Sequence, residues 1–239
     1  MVIQANGLGY RDINDALRGP DREKTVRGCL GQRFLCAGMA DGSVTLEGVP
    51  GNALGAYLNG AEITVKGNAQ DAVGDTMNDG RIVIHGSVGD AAGYAMRGGS
   101  IYVKGDAGYR AGIHMKAYRE KIPVMVIGGC AGSFLGEYQA GGLILVLGLG
   151  ESGRRIVGSF PSAGMHGGKL ILRSDCREVR FPAQVTARPA AEEDRAGIGR
   201  YVSEYCRLFG GEKEKLMDHP FTVVTPEGKN PYKQLYVAN

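Results

Sequence analysis

The sequence predicts an all-β protein, a single-stranded right-handed parallel β-helix of about seven coils, and three observations carry that expectation. Glycine accounts for 40 of 239 residues, about 17% against a usual ~7%. Apolar runs that end in glycine recur every 19 residues: TLEG at Gly48, TVKG at Gly67, VIHG at Gly86 and YVKG at Gly105. Within each run the residues alternate, with apolar pairs four and two places before the glycine, as in Ile63/Val65, Ile82/Ile84 and Ile101/Val103. That alternation is the signature of a strand with one face buried.

The remaining coils follow from the same register. An insertion in HMKAYREKIP lengthens the next unit, which ends at Gly129, by five residues, and the following unit returns to the 19-residue step at Gly148. A degenerate early copy ends at Gly28, and a late copy ends at Ser174 after a seven-residue expansion. Collagen is excluded because glycine does not fall at every third position, and regularly spaced Ile/Val pairs oppose disorder. One unit cannot bury its own apolar face, whereas coils stacked about 4.8 Å apart bury a continuous ladder. The corners need residues that permit tight bends and close backbone approach. Gly48, Gly55, Gly67, Gly74, Gly86, Gly93, Gly105, Gly112, Gly129, Gly136 and Gly148 are the structural corner positions. The right hand follows from the crossover rule.

A solenoid needs closed ends. The expected division is an N-terminal cap over 1–27, the β-helix over 28–175 and a C-terminal helix with an extended tail over 176–239. RDINDALR (11–18) can form a short helix in the cap. Glu192 to Phe209 reads as a helix with Ile198, Val202, Cys206 and Phe209 on one face, stopped by Gly210-Gly211. The outward strand positions change from Thr45/Glu47 and Thr64/Lys66 in early coils to Leu145/Leu147 in a late one. Such an apolar outer face needs a cover. The 190–217 segment is expected to bury Leu145 and Leu147.

Composition narrows the function. The formal net charge is only +3, and basic residues are scattered, which argues against a nucleic-acid partner. No apolar run approaches the roughly 20 residues of a membrane helix, and the N-terminus carries no signal pattern, so a cytoplasmic location without membrane partners is expected. Five cysteines form no CxxC pair and read as free thiols, with no metal site in the chain.

Few residues suggest chemistry. Asp71 and Asp90 hold the same place in consecutive coils, and stacked carboxylates could do acid–base work in an autonomous β-helix enzyme; capping of neighbouring turn amides is the plainer alternative. Glu47 and Lys66 suit a surface ion pair. His114 and Lys116, beside Arg110, Tyr118 and Arg119, lie in the least repetitive loop and are candidates for contacting a partner or an anion. His166 in GMHGG reads as a corner residue. Gly148-Leu149-Gly150-Glu151-Ser152-Gly153 imitates a dinucleotide fingerprint, with Asp175 as the distant acid. The Rossmann unit needs a helix next, yet the segment holds Gly158, Pro161, Gly164, Gly167 and Gly168, so an expanded solenoid turn is expected there. Its Arg154 and Arg155 are candidates for a docking loop.

At GNALGAY (51–57), GNAQDAVGDTMNDGRIVIHG (67–86) and GYAMRGG (93–99) the sequence resembles the GXGXG β-helix domain, the C-terminal domain of the glutamate synthase large subunit. GMHGGKLILRS (164–174) is similar to that domain's last coil, and YCRLFG and NPYKQLY are similar to tails of stand-alone versions. The same repeat is used by the β-helix subunit of formylmethanofuran dehydrogenase and of the related formyltransferase/hydrolase complex. The resemblance implies a non-catalytic structural subunit with no cofactor of its own. Its partners would be a glutamine amidotransferase subunit and an FMN-barrel subunit carrying an iron–sulfur cluster, which together move the amide nitrogen of glutamine to 2-oxoglutarate. The formyltransferase/hydrolase-type assembly is the alternative, and association with further copies of the chain is also compatible with the resemblance.

Overall fold

A computed structural model describes residues 1–150 and 153–228. The alternating runs form a parallel β-solenoid of about seven turns. Its strands are β1 (Val2–Gln4), β2 (Glu23–Leu30), β3 (Ser43–Val49), β4 (Asn59–Val65), β5 (Asp79–Ile84), β6 (Ser100–Val103), β7 (Val124–Ile127), β8 (Ala140–Val146) and β9 (Gly167–Leu172). Each pairs in parallel with the next, from β1 to β9. β2 runs across the 27/28 boundary drawn from the sequence.

The rungs align as the 19-residue step requires. Val44, Ile63, Ile82, Ile101, Met125, Ile144 and Leu170 form one column, and Leu46, Val65, Ile84, Val103, Ile127, Val146 and Leu172 form the next. All fourteen side chains are buried. A second, thinner ladder of bridges joins Ala69, Val88, Ala107, Ala131 and Val157. Between these walls the coil bends through alternate left-handed residues. In one coil Ala72, Gly74 and Thr76 have φ of 56°, 69° and 51°. Only the middle residue points inward: a Cβ on Gly74 would sit 2.6 Å from Ile101 Cδ1. Glycine is therefore demanded by core packing at that position, while its two neighbours carry outward side chains in the same backbone region.

The ends are closed by elements outside the repeat. Helix α1 (Tyr10–Leu17) turns Ile13 and Leu17 into the core, and Asn14 binds the first corner by donating to the Phe34 carbonyl at 2.9 Å and accepting from the Cys36 amide at 2.9 Å. At the other end β10 (Val185–Pro189) leads into α2 (Glu192–Phe209), α3 (Lys213–Met217) and β11 (Thr222–Pro226). β11 lies antiparallel between β9 and β10 and covers the last rung. The ladder is thereby stopped without an open parallel edge.

The apolar outer face has the cover expected of it. Leu145, Leu147, Ile171, Val126 and Tyr102 form a second core with Ile198, Val202 and Tyr205 of α2 and with Phe221 and Val223. Burying side chains of this size contributes about 1.5–3 kcal/mol each. Ion pairs hold α2 at both ends: Asp194 meets Arg188 at 2.7 Å and Lys169 at 3.4 Å, and Glu204 meets Arg81 at 2.9 Å. The hydrogen bond from Arg188, chiefly, holds the buried Asp194 carboxyl below its ordinary range.

Candidate functional site

Two features of the surface stand out against the regular coils, an aromatic stripe along one corner and a basic cleft at the C-terminal end. The stripe arises from the left-handed corner residues. Arg110, Phe134 and Phe160 occupy one outward column, with φ of 58°, 61° and 57°, and Tyr57, His114 and Tyr138 occupy another, with φ of 57°, 56° and 53°. The rings contact up the stack. Tyr109 lies 5.2 Å from Phe134, which lies 5.2 Å from Phe160; His114 stacks on Tyr138 at 5.2 Å and meets Tyr94 edge-on at 5.9 Å. The Arg110 guanidinium rests over Tyr109 at 4.7 Å and Phe134 at 5.1 Å while pairing with Glu137 at 2.7 Å. That hydrogen bond raises its pKa further. Tyr57, Tyr94, Tyr109, Tyr138 and Phe160 are exposed, and Phe134 is half-buried between Tyr109 and Phe160.

His114 and Lys116 thus lie at or beside this stripe, both exposed. Arg154 and Arg155 lie elsewhere, in the expansion between β8 and β9. They line a cleft of about 860 Å³ with Arg173, Arg177, Arg180, Asp175, Glu178 and His219. Arg154 pairs with Asp106 at 2.8 Å. Phe160 belongs both to the aromatic stripe and to the cleft rim, so the two features are continuous. Sequence reasoning missed the aromatic columns, although their signal was present: Arg110, Phe134 and Tyr57, Tyr138 stand five and nine residues after terminal glycines.

Asp71 and Asp90 each cap a backbone amide of the next coil. Asp71 Oδ1 accepts from the Asp90 amide at 2.9 Å, and Asp90 Oδ1 accepts from the Tyr109 amide at 2.8 Å. They are links in a chain that begins with Asn52, whose side chain accepts from the Asp71 amide at 3.3 Å. A parallel chain runs through Asn68, Ser87 and Asp106 to the amides of the next coils. The carboxylates satisfy corner amides that the ladder leaves without partners. Among the described residues no group of three or more His, Cys, Asp or Glu side chains could hold a metal ion.

The other sequence candidates resolve simply. Glu47 pairs with Arg27, on the preceding coil, at 3.2 Å, in place of the expected Lys66. His166 occupies a corner, its Nδ1 3.1 Å from the Gly164 carbonyl. Cys29, Cys36, Cys130 and Cys176 are buried free thiols, and burial raises the pKa of each. The described residues between β8 and β9 contain no helix, so the Gly148–Gly153 fingerprint opens a solenoid turn; its Glu151 and Ser152 lie outside the described residues.

The GXGXG motif is matched over residues 22–227, most of the chain. The chain belongs to the GXGXG motif family. This GXGXG protein is 41% identical to an uncharacterized protein of Methanocaldococcus jannaschii over 253 aligned positions, covering 100% of this chain and 97% of that one. Its fold is also similar to a chain in the crystal structure of the formyltransferase/hydrolase complex from Methylorubrum extorquens with methylofuran. The TM-score is 0.66 at 21% identity, over 84% of this chain and 72% of that chain. At that identity the likeness concerns the fold. Among the described residues no helix is long and apolar enough to cross a membrane.

Proposed function

We propose that this GXGXG protein is a non-catalytic scaffold subunit of a glutamate-synthase-like assembly. A separate amidotransferase subunit would release ammonia from glutamine, and an FMN-barrel subunit with an iron–sulfur cluster would form glutamate from 2-oxoglutarate. This chain would hold the two in position in the cytoplasm. The observation that carries the reading is the aromatic stripe. Tyr57, Tyr109, Tyr138 and Phe160 are exposed along one corner, with the half-buried Phe134 and Arg110 among them. Tyr, Phe and Arg are the side chains enriched at subunit interfaces. The carboxylates that could have served an autonomous enzyme instead cap backbone amides.

The likeness to a chain of the formyltransferase/hydrolase complex supports a second reading, in which the same stripe docks subunits of that type of assembly. Both readings are tested by purifying the tagged full chain from its native source at native concentration. Co-purification of a flavin protein and an amidotransferase supports the first. Formyltransferase- or hydrolase-type subunits without flavin support the second. A homogeneous lone chain overturns both.

A further inference from the structure

The cleft behind Phe160 is rich in arginine. Among the described residues five arginines line it, with two acids, Asp175 and Glu178. Arg154 and Arg177 have carboxylate partners, Asp106 at 2.8 Å and Asp175 at 2.9 Å. Arg155 and Arg180 are exposed and make no ion pair with the described residues. Arg173 is the decisive member. It projects from the end of β9 and is partly buried. Its Nε donates to the Leu216 carbonyl at 2.9 Å and one terminal nitrogen donates to the Leu147 carbonyl at 3.2 Å. Burial lowers its pKa, and among the described residues no carboxylate raises it back. A guanidinium held in a partly desolvated wall by neutral acceptors alone is an unfavourable arrangement unless an anion completes it.

We infer that this cleft binds a small organic anion bearing two or more carboxylate or phosphate groups, with Arg173 in its wall and Arg155 and Arg180 at its mouth. Planar guanidinium forks match both kinds of oxyanion. The volume of about 860 Å³ falls in the range of small-molecule sites. Ile156, Val179 and Phe160 add apolar wall for a carbon skeleton. The inference goes beyond the scaffold role and stands without it.

The test is calorimetric titration of the full chain with citrate, pyrophosphate and a hexaglutamate peptide, each at matched ionic strength with chloride as the control. Saturable one-to-one binding of citrate or pyrophosphate is expected. Arg155→Ala/Arg180→Ala and, separately, Arg173→Met should each weaken it about tenfold or more, the loss of a charge-assisted hydrogen bond or two. Arg33→Ala, an exposed arginine of an early coil outside the cleft lining, should leave it unchanged. The double variant alters exposed residues, so its fold is safe even if Arg173→Met melts early. No binding of either small anion by about 10 mM, well past the millimolar Kd of a weak site, overturns the inference. So does binding that survives the double variant. Binding of hexaglutamate alone overturns it in favour of an acidic segment of a partner subunit.

Discussion

Tyr205 fills the space that a side chain at Gly128 would need. Gly128 occupies an outward strand position just after β7, and a Cβ built there would collide with the Tyr205 hydroxyl. That hydroxyl reaches past it to donate to the Lys104 carbonyl at 3.1 Å. One coil thereby gives up a side chain so that α2 can lie close enough to bond the backbone of the coil before it. Tyr205→Phe should lower stability by about 0.5–1.5 kcal/mol, the net value of one such bond. Gly128→Val should cost about 1–3 kcal/mol more than that, because both the helix and the Lys104 carbonyl of the preceding coil must give way. Denaturant midpoints of the two variants measure the difference. A Gly128→Val protein as stable as wild type would mean that neither α2 nor the preceding coil is packed against that position.

Removing the C-terminal cover should expose the second core. Truncation after residue 189 takes away α2 and β11, leaving Leu145, Leu147 and Ile171 on the surface and the last rung unpaired. Binding of a hydrophobic dye and self-association are the expected outcomes. A soluble monomer that binds no dye would show that the face does not depend on this segment.

The two kinds of left-handed residue in a corner should respond oppositely to substitution. Gly74→Ala must accept both a left-handed alanine, about 1 kcal/mol, and a contact with Ile101 that strains the core, about 1–3 kcal/mol. Ala72→Gly, two residues away with φ of 56° and an outward side chain, should change stability by less than about 1 kcal/mol. Ile101→Val removes the Cδ1 that a methyl at 74 would meet. In the Gly74→Ala background it should cost less than it does alone, which a double-mutant cycle reads directly.

The rungs of the solenoid were legible because two independent periods agree, two within a strand and 19 between coils, and because each coil buries the same positions. The bounds of α2 were legible for a local reason: Gly210, with φ of 86°, ends the helix. Other features depend on chain paths that no local pattern records. Glu47 faces Arg27 because β2 joins the ladder one coil before the apolar pairs become clear; its own rung pairs Lys24 with Val44. β11 reads as extended, but its antiparallel place on β9 is set by the return of the chain through α2 and α3. The cleft gathers Arg154 and Arg155 from an expansion, Arg173 from a strand end, and Arg177 and Arg180 from the turn after it. No spacing rule connects them, and only the last turn of the solenoid brings them together.

His85 gives the fold a dependence on mild acid. Its ring meets Phe209 edge-on at 5.3 Å, so the end of α2 shields it, and Lys66 and Lys104 flank it in the outward ladder. Desolvation first, and then the two ammonium groups, lower its pKa below the ordinary 6.5. The unfolded chain therefore takes up a proton at a pH where the folded chain does not. Stability should be full above the unfolded value and fall as pH drops from about 6.5 through the depressed folded value. In His85→Gln that component of the slope should vanish, while acid loss from the low carboxylates Asp194 and Glu204 persists at lower pH. Denaturant midpoints at pH 7.5 and 5.5 for the two proteins measure it. An equal slope in both would place the titration on another group.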